Sequence, residues 1–140
     1  MTSYHQQLES WLQHLAQRYR TSLTLRDGVC ALCDENGAEA AVIEVPAQSD
    51  ILLLHCQLPV LSEEMSEAIS RFCLQLNFEM NAMRGCWLAL DEYQTLRLCT
   101  QHPVNMLNEQ TFTALVEGFI EQVDEVGAFL RDVLIRIDAA

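Results

Sequence analysis

The chain has 140 residues, enough for one ordinary hydrophobic core and too few for two of normal size, and half of them are apolar, which sets aside global disorder. All eight basic residues are arginine and none is lysine, so a Walker-type phosphate loop, a lysine Schiff base and a lysine general base are excluded. Twenty carboxylates leave a net charge of −12, which repels nucleic acid and anionic membranes, and the longest apolar runs, Ile51 to Leu54 and Cys86 to Leu90, fall far below the roughly 18 residues of a membrane span.

Tyr4, Leu8, Trp11, Leu12, Leu15 and Tyr19 step by three and four, which predicts a helix from about Ser3 to Tyr19, opened by Ser3 and Gln6 as a capping box. From Ser22 the period drops to two, so Leu23 and Leu25 predict a first strand. Asp27-Gly28 supplies a tight hairpin, and Val29 to Cys33 is the second strand. Asn36-Gly37 marks another turn before a third strand, Ala38 to Val45, stopped by Pro46. Ile51 to Leu58 reads as a central strand. Ser62 is the expected cap of a second helix, with Glu63 and Glu64 against its dipole, a stripe of Met65, Ile69, Phe72, Cys73 and Leu76, and Asn77 closing it in a left-handed conformation. After a linker through Arg84, Cys86 to Leu90 and Thr95 to Thr100 pair around the Asp91 to Gln94 turn. Asn108 caps the last and longest helix, which Gly127 is expected to bend or divide. The expectation is α+β in one domain over residues 1–140. It has a mostly antiparallel twisted sheet with three helices, in the order α-β-β-β-β-α-β-β-α.

No catalytic constellation assembles. Cys30 and Cys33 form a CxxC, but on a strand positions three apart face opposite sides, and no second pair or histidine set stands at metal-ligand spacing. Met1 to Gln7 lacks the basic and apolar regions of a secretory leader, so a reducing cytosol and six free thiols are expected. Asp91-Glu92 reads as solvated turn carboxylates. What remains is surplus apolar surface. A three-helix, one-sheet monomer must cover both faces of its sheet or expose one, so a second copy packed on helix two, or an extended partner at a sheet edge, is the natural complement.

Gln75-Leu76-Asn77, Gly85 through Asp91 (Gly-Cys-Trp-Leu-Ala-Leu-Asp), Leu96-Arg97-Leu98 and the helix from Thr111 to Val126, in this element order, resemble the class I type III secretion chaperones, the Tir-chaperone family. The resemblance implies a cytoplasmic, nonenzymatic homodimer without cofactor or metal, which holds the N-terminal segment of a secreted effector in extended form. It implies no nucleic-acid or membrane partner and brings in the secretion ATPase as a candidate further partner. Carried onto this chain, the dimer helix presents Met65, Ile69, Phe72, Cys73 and Leu76, so that Ile69→Asp would break the dimer. The effector-facing positions are Leu8, Trp11, Leu23, Leu25, Val29, Ile43 and Val45. Arg18, Arg20 and Arg26 are placed to pair with carboxylates of the partner. The six cysteines and the stretch Phe78 to Arg84 depart from the family pattern. The alternatives are a regulatory adaptor of the same fold that binds a secretion regulator, and a small thiol or metal enzyme built on cysteines such as Cys30 and Cys33.

Overall fold

Leu8, Leu12 and Leu15 have no exposed surface, as the periodicity of α1 (Ser3–Arg18) requires. The computed structural model describes residues 3–19, 21–58 and 65–139, with the side chains of Ser3, Asp138 and Ala139 outside the description. Arg20, the expected capping contact of Ser3, and the Ser62 cap with Glu63 and Glu64 therefore lie outside the described residues.

After α1 come β1 (Val29–Cys33), β2 (Glu39–Glu44), β3 (Ile51–Gln57), α2 (Glu67–Leu76), α3 (Met80–Met83), β4 (Trp87–Leu90), β5 (Leu96–Pro103), a single 3₁₀ turn at Val104–Met106, and α4 (Glu109–Ala139). The fold is α+β, and its strands form a five-stranded sheet in the order β1-β2-β3-β5-β4. Two compact units divide the chain: Met1–His55 with Gln101–Ile120, and Cys56–Thr100 with Glu121–Ala140.

In the first unit β1, β2 and β3 make an antiparallel meander in which Cys30 faces Ile43 and Ile43 faces Leu54. The expected strand at Leu23 and Leu25 is absent. Leu23 is buried, but the Leu25 N–H donates to a carboxylate oxygen of Glu9 on α1 at 2.7 Å, so a side chain takes the donor that a strand neighbour would have used. The hairpin itself is present. Arg26 and Val29 exchange both backbone hydrogen bonds across Asp27 (φ 52°) and Gly28 (φ 78°). Those two positive φ values make the primed turn that Asp-Gly favours. A side chain at Gly28 would also place its Cβ 2.5 Å from the Val45 carbonyl oxygen.

The turns after β1 and after β4 share one design. Asp34 Oδ1 accepts from the N–H groups of Asn36 and Ala38, both at 2.9 Å, with Gly37 left-handed at φ 80°. Asp91 Oδ1 accepts from Tyr93 (2.8 Å) and Thr95 (3.0 Å), with Gln94 left-handed at φ 63°. In the second turn Asp91 Oδ2 also accepts from Arg97 Nε at 2.8 Å, so this carboxylate is held in a network where simple solvation was expected. The Arg97 hydrogen bond, aided by the N–H groups of Thr95 and Tyr93, holds the Asp91 carboxyl below the usual carboxylate range. A folded-state pKa below the unfolded value contributes stability that is complete above about pH 4 and is lost as pH falls through the folded value. Asp91→Asn is therefore expected to lower the thermal midpoint at pH 7, and the gap to wild type should narrow as the pH is taken below about 4. A gap independent of pH in unfolding scans would show that charge at this turn contributes nothing.

In the second unit α2 begins four residues later than expected. Ser66 is its cap, accepting the Ile69 N–H on Oγ at 3.2 Å, and Glu67 stands in the first turn. Asn77 ends α2 with ordinary helical backbone (φ −58°), not a left-handed one, because its N–H still donates to Cys73 O at 3.1 Å and its side chain is engaged elsewhere. Left-handed backbone comes instead at Arg84 and Gly85, which close α3, a helix where a linker was expected. α3 is tied to α4 by Gln122, a buried polar side chain whose Nε2 donates to Ala82 O at 2.7 Å.

Asn108 caps α4 as read: its Oδ1 accepts the Thr111 N–H at 2.9 Å while Thr111 Oγ1 accepts the Asn108 N–H at 2.8 Å. The helix runs unbroken through Gly127, whose missing side chain leaves room for Leu58, 3.8 Å from where a Cβ would stand. No helix among the described residues is long and apolar enough to cross a membrane.

Candidate functional site

The positions assigned to a partner separate by burial. Leu8, Leu23, Ile43 and Val45 lie inside the first unit, with 0–6% of their surface exposed. Trp11, Leu25 and Val29 are half-buried and keep a face toward solvent. Trp11 stacks on Phe112 of α4 with ring centroids 5.5 Å apart, an arrangement that contributes about 0.5–1.5 kcal/mol beyond simple burial. Leu25 lines an open cleft of about 350 Å³ with His5 and Ala47. Arg18, expected to meet a partner carboxylate, is instead paired with Glu117 on α4 at 3.1 Å, and His14 pairs with Glu109 in the first turn of that helix. Arg26 is exposed.

β1 is an edge of the sheet. The Val45 N–H donates to Gly28 O while Val29 exchanges its bonds with Arg26, so residues 28, 30 and 32 direct their backbone groups to β2, and residues 29, 31 and 33 direct theirs away. Ala31 and Cys33, both exposed, thus stand on the outer rim with backbone donors and acceptors facing outward. Beside this rim opens a groove of about 700 Å³, with Leu32, Ala40, Tyr19 and Ile120 as its apolar lining and Arg18 and Asp34 among its polar groups. An edge with unpaired backbone beside an apolar groove can accept an extended chain by strand addition and take an alternate side chain into the groove.

The second unit carries a different surface. Ile69, Cys73 and Leu76, three of the five residues assigned to the dimer helix, are buried in the unit's own core, with 4–6% exposure. Phe72 is half-buried and packs on Phe129, centroids 6.2 Å apart. Ile69→Asp would thus charge a core position, and its effect would report folding. Met65 and Cys73 line a groove of about 250 Å³ together with Leu74, Asn77, Leu88 and Leu90. Leu74 is 71% exposed and Leu90 45%. These two apolar side chains were not singled out in the sequence. The available signal was their position off the helical stripe: an apolar residue that the stripe does not account for is left on the surface.

The cysteines lie apart by side: Cys30 is buried and Cys33 exposed, as strand geometry dictates. Burial pushes the thiols of Cys30, Cys73, Cys86 and Cys99 up, which keeps them protonated and poor as nucleophiles or ligands at neutral pH. Among the described residues no three His, Cys, Asp or Glu side chains are grouped so as to hold a metal ion.

Among solved structures, the chain is similar to a chain of the ExsC–ExsE complex, with a TM-score of 0.73 and 20% identity over 93% of this chain and 95% of that one. It is similar to a chain of the HopA1–SchA chaperone–effector complex (TM-score 0.70, 16% identity, 94% and 98% covered). A third likeness is to a chain of the heterodimeric ExoU–SpcU complex from the type III secretion system of Pseudomonas aeruginosa (TM-score 0.61, 18% identity, 89% and 95% covered). At these identities the likeness establishes the fold. No curated protein matches the sequence. The family model of the Tir chaperone protein (CesT) family matches residues 10–126, from the second turn of α1 into the second half of α4. With that pattern running through most of its length, the chain belongs to the Tir chaperone family of type III secretion chaperones.

Proposed function

We propose that this chain is an ATP-independent cytoplasmic chaperone that holds, as a homodimer, the N-terminal segment of one or more type III secreted effectors and keeps it extended for secretion. Family membership across residues 10–126 is the observation that carries the reading. The physics of the two surfaces supports it. An unfolded segment offers apolar side chains and unpaired backbone groups, and the β1 rim with its flanking groove offers the complement of both, so binding needs no hydrolysis. Leu74 and Leu90 give the second unit an apolar face that a twofold-related copy would bury. A net charge of −12 keeps the unloaded protein in solution despite these faces. The HopA1–SchA structure is a chaperone–effector complex, and the same kind of partner is assigned here. The test is capture of the tagged chain with its partner in the absence of ATP, followed by proteolytic mapping of the stretch that is protected. A protected N-terminal segment of a larger protein is the expected result, and a monomer with no protected partner segment would overturn the reading.

A further inference from the structure

β4, at the opposite end of the strand order from β1, is also an edge; of its two outward residues, Leu88 and Leu90, the backbone groups of Leu88 are already occupied. Asp91 donates its N–H to Thr95 O at 3.0 Å, and Leu88 stands opposite Leu98 in the β4–β5 ladder. Stepping back by twos from Asp91, Ala89 and Trp87 turn their N–H and C=O toward β5, and Leu88 turns both of its groups away. Those two groups meet one side chain. The Leu88 N–H donates to Asn77 Oδ1 at 2.7 Å, and Asn77 Nδ2 donates to Leu88 O at 3.2 Å. The next outward donor, the Cys86 N–H, bonds Met83 O at 2.9 Å.

A carboxamide presents one acceptor and one donor, the same pair that a residue of a neighbouring strand would present. Its orientation is unambiguous here, since a backbone N–H can only donate and a C=O can only accept. Asn77 is held in place by the end of α2, with its own N–H on Cys73 O at 3.1 Å. No such side chain stands against Ala31 on β1 among the described residues.

We propose that Asn77 is a specificity-determining residue that interrupts the β4 edge at Leu88 by imitating a strand, leaving Leu90 as a single outward position too short to add a strand, and so leaves β1 as the edge at which this sheet is extended. This rests on the proposed function only in taking strand addition as the way a partner is held. Exposed, unguarded edges pair with one another, so the guard has a consequence that the chain alone reveals.

The experiment compares full-length wild type with Asn77→Ala and Asn77→Ser by residue-resolved amide exchange and by light-scattering mass over a concentration series. The Leu88 amide is expected to exchange slowly in wild type and roughly tenfold faster or more in both variants, with Leu98 and Leu130 still protected. The mass of each variant is expected to reach twice that of wild type at the same concentration, as opened β4 edges pair. Unchanged exchange at Leu88 in the variants overturns the proposal. So does a freed Leu88 amide with a mass equal to that of wild type. If Asn77→Ala loses protection at Leu98 as well, Asn77→Ser, which keeps a polar residue at the helix end, decides by the same two readings. Because each mass is compared with wild type's own, a monomeric wild type would count against the homodimer alone, and the role of Asn77 would still be decided by exchange and mass.

Discussion

Leu74→Asp is expected to halve the mass of the protein in solution, from about 32 kDa for two chains to the 15.9 kDa of one, while leaving its circular dichroism unchanged and lowering its unfolding midpoint only by what association had added. Leu74 is 71% exposed in the single chain, so a carboxylate there stays in water and costs the fold almost nothing. In a twofold interface the same substitution appears on both copies, and each buried, unpaired charge costs several kcal/mol. The contrast with Ile69 makes the test specific: Ile69 is 4% exposed, and a charge there unfolds the chain before it reports anything about a second copy. A Leu74→Asp protein with the mass of wild type would remove this face from the interface.

Ala31→Pro is expected to weaken the hold on an effector segment roughly tenfold to a hundredfold, with the chain still folded. Ala31 lies on the outer rim of β1 with its N–H directed away from β2, a setting in a sheet where proline is tolerated. The substitution deletes a donor and places a ring carbon where an added strand would run, so two or so backbone hydrogen bonds to the partner are lost at about 1 kcal/mol each. Titration calorimetry with the effector fragment measures the change. An affinity equal to that of wild type would mean that the segment is held elsewhere.

These two substitutions mark where the sequence was legible. Periodicity located α1, β1 and α4 almost to the residue, because a stripe such as Leu8, Leu12 and Leu15 has one physical solution, burial on a helix face. The same periodicity misled at Leu23 and Leu25, since alternation records which side chains are buried and says nothing of where the Leu25 N–H finds its acceptor, here Glu9. It also could not divide core from surface. Ile69, Cys73 and Leu76 form the better stripe and are spent on the unit's own core, while Leu74, off the stripe, is the side chain left outside. Asn77 does end α2, as its position predicts, but not in a left-handed conformation; the sequence shows its neighbours along the chain and hides Leu88, eleven residues on, whose backbone it occupies.

Limited proteolysis of the loaded complex, purified without ATP, tests the central claim most directly. Mass spectrometry of what survives is predicted to find the intact chaperone as a dimer with one contiguous N-terminal segment of a larger protein, protected only while the chaperone is present. A protected globular domain from elsewhere in the partner, or a partner digested as fast in the complex as alone, would contradict the account.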